Sequence, residues 1–298
     1  MAAAEEVPDL PRAGRSRTEW LPYLLLAPSL VFLGVFFVYP LVQAFGLSFL
    51  RPEGGLTAEH FQRMLGDTYF RGAIANSLLL TAIVVPIQVA IGLVIALLVN
   101  SRFRGHLWFL YICAIPLAIS DLAAGLIWLS VFTERGYLNT LLHMVGAVRE
   151  PLTYLSAEQP VWLYGAIIAA EVWRATAIVM IILLAGLQLI PRDYFETADV
   201  FGAGGWRKLW YVTLPLLRPS LQTALIIRTI LAFQLFATVI TLSGRQVPVL
   251  AGEAYFWYGL YRNPHVASAY AVLIMGVSVA ITWVYLRVLR MREEEVAG

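Results

Sequence analysis

The chain is 298 residues long, 60% apolar and only 13% charged, with a mean hydropathy of +0.74. Soluble domains carry about twice that share of charge, so composition points to a membrane and excludes an ordinary soluble globular protein. A net charge of +2 with no basic run among aromatics excludes a nucleic-acid surface, and the lone cysteine, Cys113, excludes an internal disulfide or cysteine metal cluster.

Residues 1–18 are Ala, Glu, Pro and Arg without apolar period and read as a mobile tail. The first apolar run begins near Trp20 and is longer than the about 7–15 residues of a signal-peptide core. Runs of about 20 apolar residues are long enough to cross a bilayer, and backbone groups in hydrocarbon must be satisfied within the segment. Six such runs predict an all-α polytopic protein, with spanning helices over 21–50, 76–100, 107–132, 161–190, 216–242 and 266–289. Pro40, Pro86 and Pro116 predict kinks in the first three.

Orientation follows from arginine and lysine near the helix ends. With the N-terminus inside, twelve basic residues fall on the inner side (Arg12, Arg15, Arg17, Arg102, Arg104, Arg192, Arg207, Lys208, Arg218, Arg287, Arg290 and Arg292) and seven on the outer. Both termini are therefore expected in the cytoplasm of a cell-membrane protein. Lys208 is the only lysine, which we read as a compositional bias without functional meaning. Between the first two spans, Thr57 caps a short surface helix. The later outer connections are rich in Gly, Pro, Tyr and Trp. Tyr255, Trp257, Tyr258 and Tyr261 suit either a headgroup belt or contact with a docking protein or sugar.

The polar island between the fourth and fifth runs is the most informative segment. Pro191 stops one helix, and Asp193 or Tyr194 starts another, with Glu196 in its first turn where the helix dipole favours an acid. Gly202 fits a left-handed C-terminal cap, followed by Gly204 and Gly205. Trp206, Leu209 and Trp210 predict a further amphipathic turn on the membrane surface, and Leu214-Pro215 and Arg218-Pro219 mark entry to the fifth span. On spacing alone this is either an ordinary amphipathic connection or a stiff knob able to pass on a rigid-body motion.

Charges inside the spans are costly, about 3 kcal/mol each on insertion scales, so they pair or face a wet cavity. Glu171 and Arg174, three residues apart on one helical face, are expected to pair, with Arg228 joining through Glu171. The group reads either as a structural ion pair or as a substrate-facing or gating element. Gln234 is either a pathway residue or a helix–helix hydrogen-bonding group. His60, His106, His143 and His265 are far apart in sequence and show no metal spacing. No phosphate-binding Gly-x-x-x-x-Gly-Lys-Ser/Thr loop occurs, so no cofactor, metal or nucleotide site and no catalytic residue is expected.

The island resembles the coupling loop of permease subunits of ATP-driven, binding-protein-dependent importers. Glu196, Ala198, Gly202, Leu214 and Pro215 keep that family's order, while Thr197 replaces its usual alanine and Phe201 its usual aspartate. The resemblance covers about 20–290. It extends to Ala27-Pro28, Tyr39-Pro40, Ser48-Phe49, Asn76-Ser77, Glu171-Val-Trp-Arg and Leu184-Ala-Gly-Leu-Gln, a pattern similar to the sugar-type permeases of the maltose and glycerol-phosphate importers. It implies one transmembrane domain over 19–292 with a coupling helix at 193–204. Glu196, Thr197, Ala198, Gly202 and Ala203 would meet a separate dimeric ATPase. The other implied partners are a second related permease, an extracytoplasmic binding protein, membrane lipid and a mono- or disaccharide cargo. Glu171, Arg174, Arg228 and Gln234 are the pathway candidates. A glycerol-phosphate or polyol cargo is the nearest alternative. An ion-coupled carrier is a more distant one, since no internal repeat is evident.

Overall fold

The computed structural model describes residues 20–51 and 53–288, and these are helical apart from short connections and one isolated bridge between Leu50 and Leu56. The tail at 1–18, and with it Arg12, Arg15 and Arg17, lies outside the described residues, as do Arg290 and Arg292.

Among the described residues, five helices are long and apolar enough to cross a membrane: α1 (Leu21–Phe49), α3 (Phe70–Asn100), α7 (Pro160–Leu189), α9 (Gly205–Phe233) and α12 (Pro264–Val288). The count reaches six when a bent pair, His106–Ala118 and Asp121–Met144, is taken as one span. We call the first arm α4 (His106–Ala114, tightening to 3-10 turns at Ile115–Ala118) and the second α5 (Asp121–Phe132) and α6 (Tyr137–Met144). Short helices α2 (Glu59–Leu65), α8 (Arg192–Val200), α10 (Ala237–Ser243) and α11 (Leu250–Gly259) complete the described residues.

The sequence-based expectation of a single third helix over 107–132, kinked at Pro116, needs correction. The arms meet at a 102° bend, because Pro116 tightens the last turn and Ser120, in an extended conformation, caps a new helix by accepting a hydrogen bond from the Ala123 N–H at 3.3 Å. The fifth span also differs. It does not continue to 242 but stops at Phe233, and Gln234–Phe236 separate it from α10. At its other end it begins at Gly205, so the amphipathic turn of Trp206 and Trp210 is the first part of the spanning helix itself. Pro215 is accommodated by a wide π turn over Leu209–Thr213, closed by Leu214 N–H to the Leu209 carbonyl. The same device, a π turn over Gly34–Val38, precedes Pro40 in α1. Helix α3 runs on through Pro86.

The packed centre is α3 against α7, with α9 across both. Asn76, Gln88 and Gly92 of α3 meet Tyr164, Glu171 and Val179 of α7 in the same order, so these two helices run parallel. Gly186 of α7 faces Ser220 and Leu217 of α9 while Glu171 faces Arg228, so α7 and α9 are antiparallel. A Cβ at Gly186 would lie 2.6 Å from the Ser220 Cβ; glycine is what lets the two backbones approach. Asn76-Ser77 staples the bundle: Asn76 Nδ2 donates to the Pro248 carbonyl at 2.8 Å, its Oδ1 accepts from Tyr164 at 2.7 Å, and Ser77 Oγ accepts from Leu250 N–H at 2.9 Å. Helix α1, by contrast, has no buried residue before Ser48. Its C-terminal half packs on α12.

Candidate functional site: a buried charge network and an exposed helix

The three charged candidates of the spanning segments come together. Arg174 grips Glu171 through two hydrogen bonds, Nη2 to Oε1 at 2.8 Å and Nε to Oε2 at 3.2 Å. Arg228 donates from Nη2 to the same Glu171 Oε1 at 3.1 Å. Two further members were missed in the sequence. Gln88 accepts from Arg228 Nε at 2.6 Å and donates to the Glu171 carbonyl at 2.8 Å. Asp121 accepts from Arg174 Nη1 at 2.7 Å. The signal for both was a lone polar residue within an apolar run, but neither has a partner close in sequence to reveal its role.

The network is charge-balanced, with two guanidinium groups against two carboxylates. It is also graded in exposure. Glu171 and Arg228 are 1% exposed, Arg174 17% and Asp121 53%. A half-exposed carboxylate bonded to the middle of a spanning helix is not tolerated against hydrocarbon; it has to face water or another protein. Only Asp121 Oδ1 is engaged by Arg174. Its position, the first residue after the bend of the third span, follows directly from the Ser120 cap.

Gln234 does not join this group. It lies at the break after α9 and lines a groove of about 730 Å³ between α1, α9 and α12, with Phe45, Ser278, Thr282 and Trp283. His60 and His265 also come together despite their separation in sequence. Their rings stack at 4.8 Å, and each bonds a carbonyl at the end of α1, Leu50 at 3.1 Å and Leu47 at 2.9 Å. Near that same end Arg245 is held by Glu253 and Tyr261 and lies 3.8 Å over the Tyr69 ring.

At the opposite end of the bundle, α8 projects between α7 and α9 with no buried residue. Helix formation starts at Arg192, one residue before the expected start, so Asp193 and not Glu196 occupies the first turn. The helix closes with two bonds around Gly202: Gly202 N–H to the Asp199 carbonyl and Ala203 N–H to the Ala198 carbonyl, each 2.9 Å. This closure requires the left-handed backbone that Gly202 adopts, φ +71°. Glu196 and Thr197 are exposed, Ala198 and Ala203 half-covered, and Phe201 is 84% exposed. The result is a closed, stiff, solvent-facing helix joined to the bundle at both ends.

The comparisons with known proteins agree with this architecture. Residues 88–292 match the family model described as "Binding-protein-dependent transport system inner membrane component". The chain is 34% identical over 285 residues to the sulfoquinovosyl glycerol transport system permease protein SmoG of Agrobacterium fabrum, covering 92% of this chain and 91% of that one. It is 30% identical over 277 residues to the trehalose transport system permease protein SugA of Mycobacterium tuberculosis, with 90% and 88% covered. A chain of the bacterial alginate ABC transporter, crystallised with an alginate pentasaccharide-bound periplasmic protein, superposes with a TM-score of 0.78 at 22% identity, covering 91% of this chain and 94% of that one, a likeness of fold. The chain therefore belongs to the family of binding-protein-dependent transport system inner membrane components, as an importer permease subunit.

Proposed function

We propose that this chain forms one half of a carbohydrate pathway and that α8 is where a separate ATPase drives it. The observation that carries the reading is α8 itself. A helix with nothing buried, closed at Gly202 and tied to two spanning helices, is built to be gripped and to move what it is tied to. Glu196, Thr197, Ala198, Gly202 and Ala203 form the contact surface. The α8 end faces the cytoplasm, as do both termini, and the end with α2, α11 and the Arg245 cluster receives the binding protein. A second, related permease completes the pathway.

The cargo contact we assign is the exposed edge of the charge network. Asp121 Oδ2 is free to accept a hydroxyl hydrogen bond while Arg174 fixes the carboxylate. Glu171, Gln88 and Arg228 hold Arg174 in place. Because the network is already neutral, it suits a hydroxyl-rich uncharged cargo better than a phosphate, which would have to displace Asp121 from Arg174. A relative named for trehalose supports a neutral carbohydrate. Gln234 contributes from the α9 break.

Cysteine cross-linking tests the docking assignment. In a Cys113→Ala background, Ala203→Cys should bond to a cysteine in the cleft of the cognate ATPase, with a yield that changes with nucleotide. An assembled complex showing no nucleotide-sensitive bond from Ala198→Cys or Ala203→Cys would remove it.

A further inference from the structure

The loop between α8 and α9 has a composition that should let α8 swivel. Gly202, Gly204 and Gly205 fall within four residues, and a Cβ at any of them would meet nothing within 4 Å. A swivelling helix would not transmit a push. A polar contact spans this loop: Lys208 Nζ, in the first turn of α9, binds Asp199 Oδ1, in the last turn of α8. Lys208 is also the chain's only lysine among arginines, and its side chain is 23% exposed where that of Asp199 is 63% exposed. The covered ammonium therefore holds the more exposed carboxylate, and α8 also rests on the Leu209–Thr213 turn just beyond.

We infer that Asp199 and Lys208 form a positioning strut that makes α8 and the start of α9 move as one body. The inference rests on the reading of α8 as the docking helix. A pair this exposed adds little to folding stability; its consequence is positional. Displacement of α8 passes through the strut into α9. Arg228, on the same helix, carries it to Glu171 and the charge network. At its other end α8 is joined to α7 through Ile190 and Pro191, so two of the four helices bearing the network, α7 and α9, receive the motion.

The test uses the full chain in lipid nanodiscs, with nitroxides at Asp193→Cys on α8 and Tyr211→Cys on α9 in a Cys113→Ala background. Both sites are exposed. Electron–electron resonance should give one narrow distance in the parent chain. The distribution should become at least about twofold wider with Asp199→Asn or Lys208→Gln, and narrow again in the reversed pair Asp199→Lys with Lys208→Asp. Sulfo-NHS acetate should modify Lys208 several-fold faster in Asp199→Asn than in the parent. Equal widths in all variants, or a reversed pair as broad as the single changes, would overturn the strut. None of these readouts needs an ATPase. If the widths respond but no ATPase contacts α8, the strut stands and the docking assignment fails. If the ATPase docks and the widths do not respond, the reverse holds.

Discussion

The charge network and α8 are opposite solutions to placing polar residues in a membrane protein. The network draws side chains from α3, α5, α7 and α9 and buries its centre, so each member is held by residues tens of positions away. Helix α8 buries nothing and is shaped by bonds between residues at most nine apart. The first is a cooperative structure that fails as a unit. The second is a local structure that can be altered while the bundle survives.

The sharpest way to break this contrast is to remove the carboxylate that both arginines share. Glu171→Ala should cost about 3–5 kcal/mol by leaving Arg228 buried without its charge partner, read as loss of folded yield and of thermal stability in detergent. A change of under about 1 kcal/mol would mean the network is not a unit. Next in size is Gly186→Ala, where the new methyl meets Ser220. It should cost about 1–3 kcal/mol, and adding Ser220→Gly should recover most of that in a double-mutant cycle. Gly202→Ala forces a side chain into the left-handed region and should cost about 1–2 kcal/mol. That cost should fall on α8 alone, seen as faster amide exchange there with the melting temperature of the bundle unchanged. Asp121→Asn should be smallest in stability, about 0–1 kcal/mol, because this end of the network is half exposed. It should nevertheless reduce cargo uptake in reconstituted vesicles, which separates a pathway contact from a structural one.

The same contrast explains how much was legible in the sequence. The cap at Gly202 and the pairing of Glu171 with Arg174 depend on neighbours within one or two turns, and local rules reach that far. The apolar runs were equally plain, since length and hydropathy alone set them. Gln88 and Asp121 were not legible, because their partners lie 140 and 53 positions away, on other helices. The bend at 119–120 was expected as a kink only. Pro116 announces a disturbance, but that a fresh helix starts at Ser120 depends on its cap and on Asp121 reaching Arg174. The break at Gln234 carried no proline or glycine to announce it. The strut was hidden for a simpler reason: a single lysine looked like composition and became informative only when Asp199 was found beside it.

The most direct test of the central claim is ATP hydrolysis by the affinity-purified complex in lipid nanodiscs, with and without its cargo-loaded binding protein. A separate ATPase and a second permease should co-purify, and the loaded binding protein should stimulate hydrolysis several-fold in the wild type but not in Glu196→Ala. A chain that purifies without any ATPase, or a Glu196→Ala complex stimulated as strongly as the wild type, would contradict the assignment of α8 as the element through which this permease is driven.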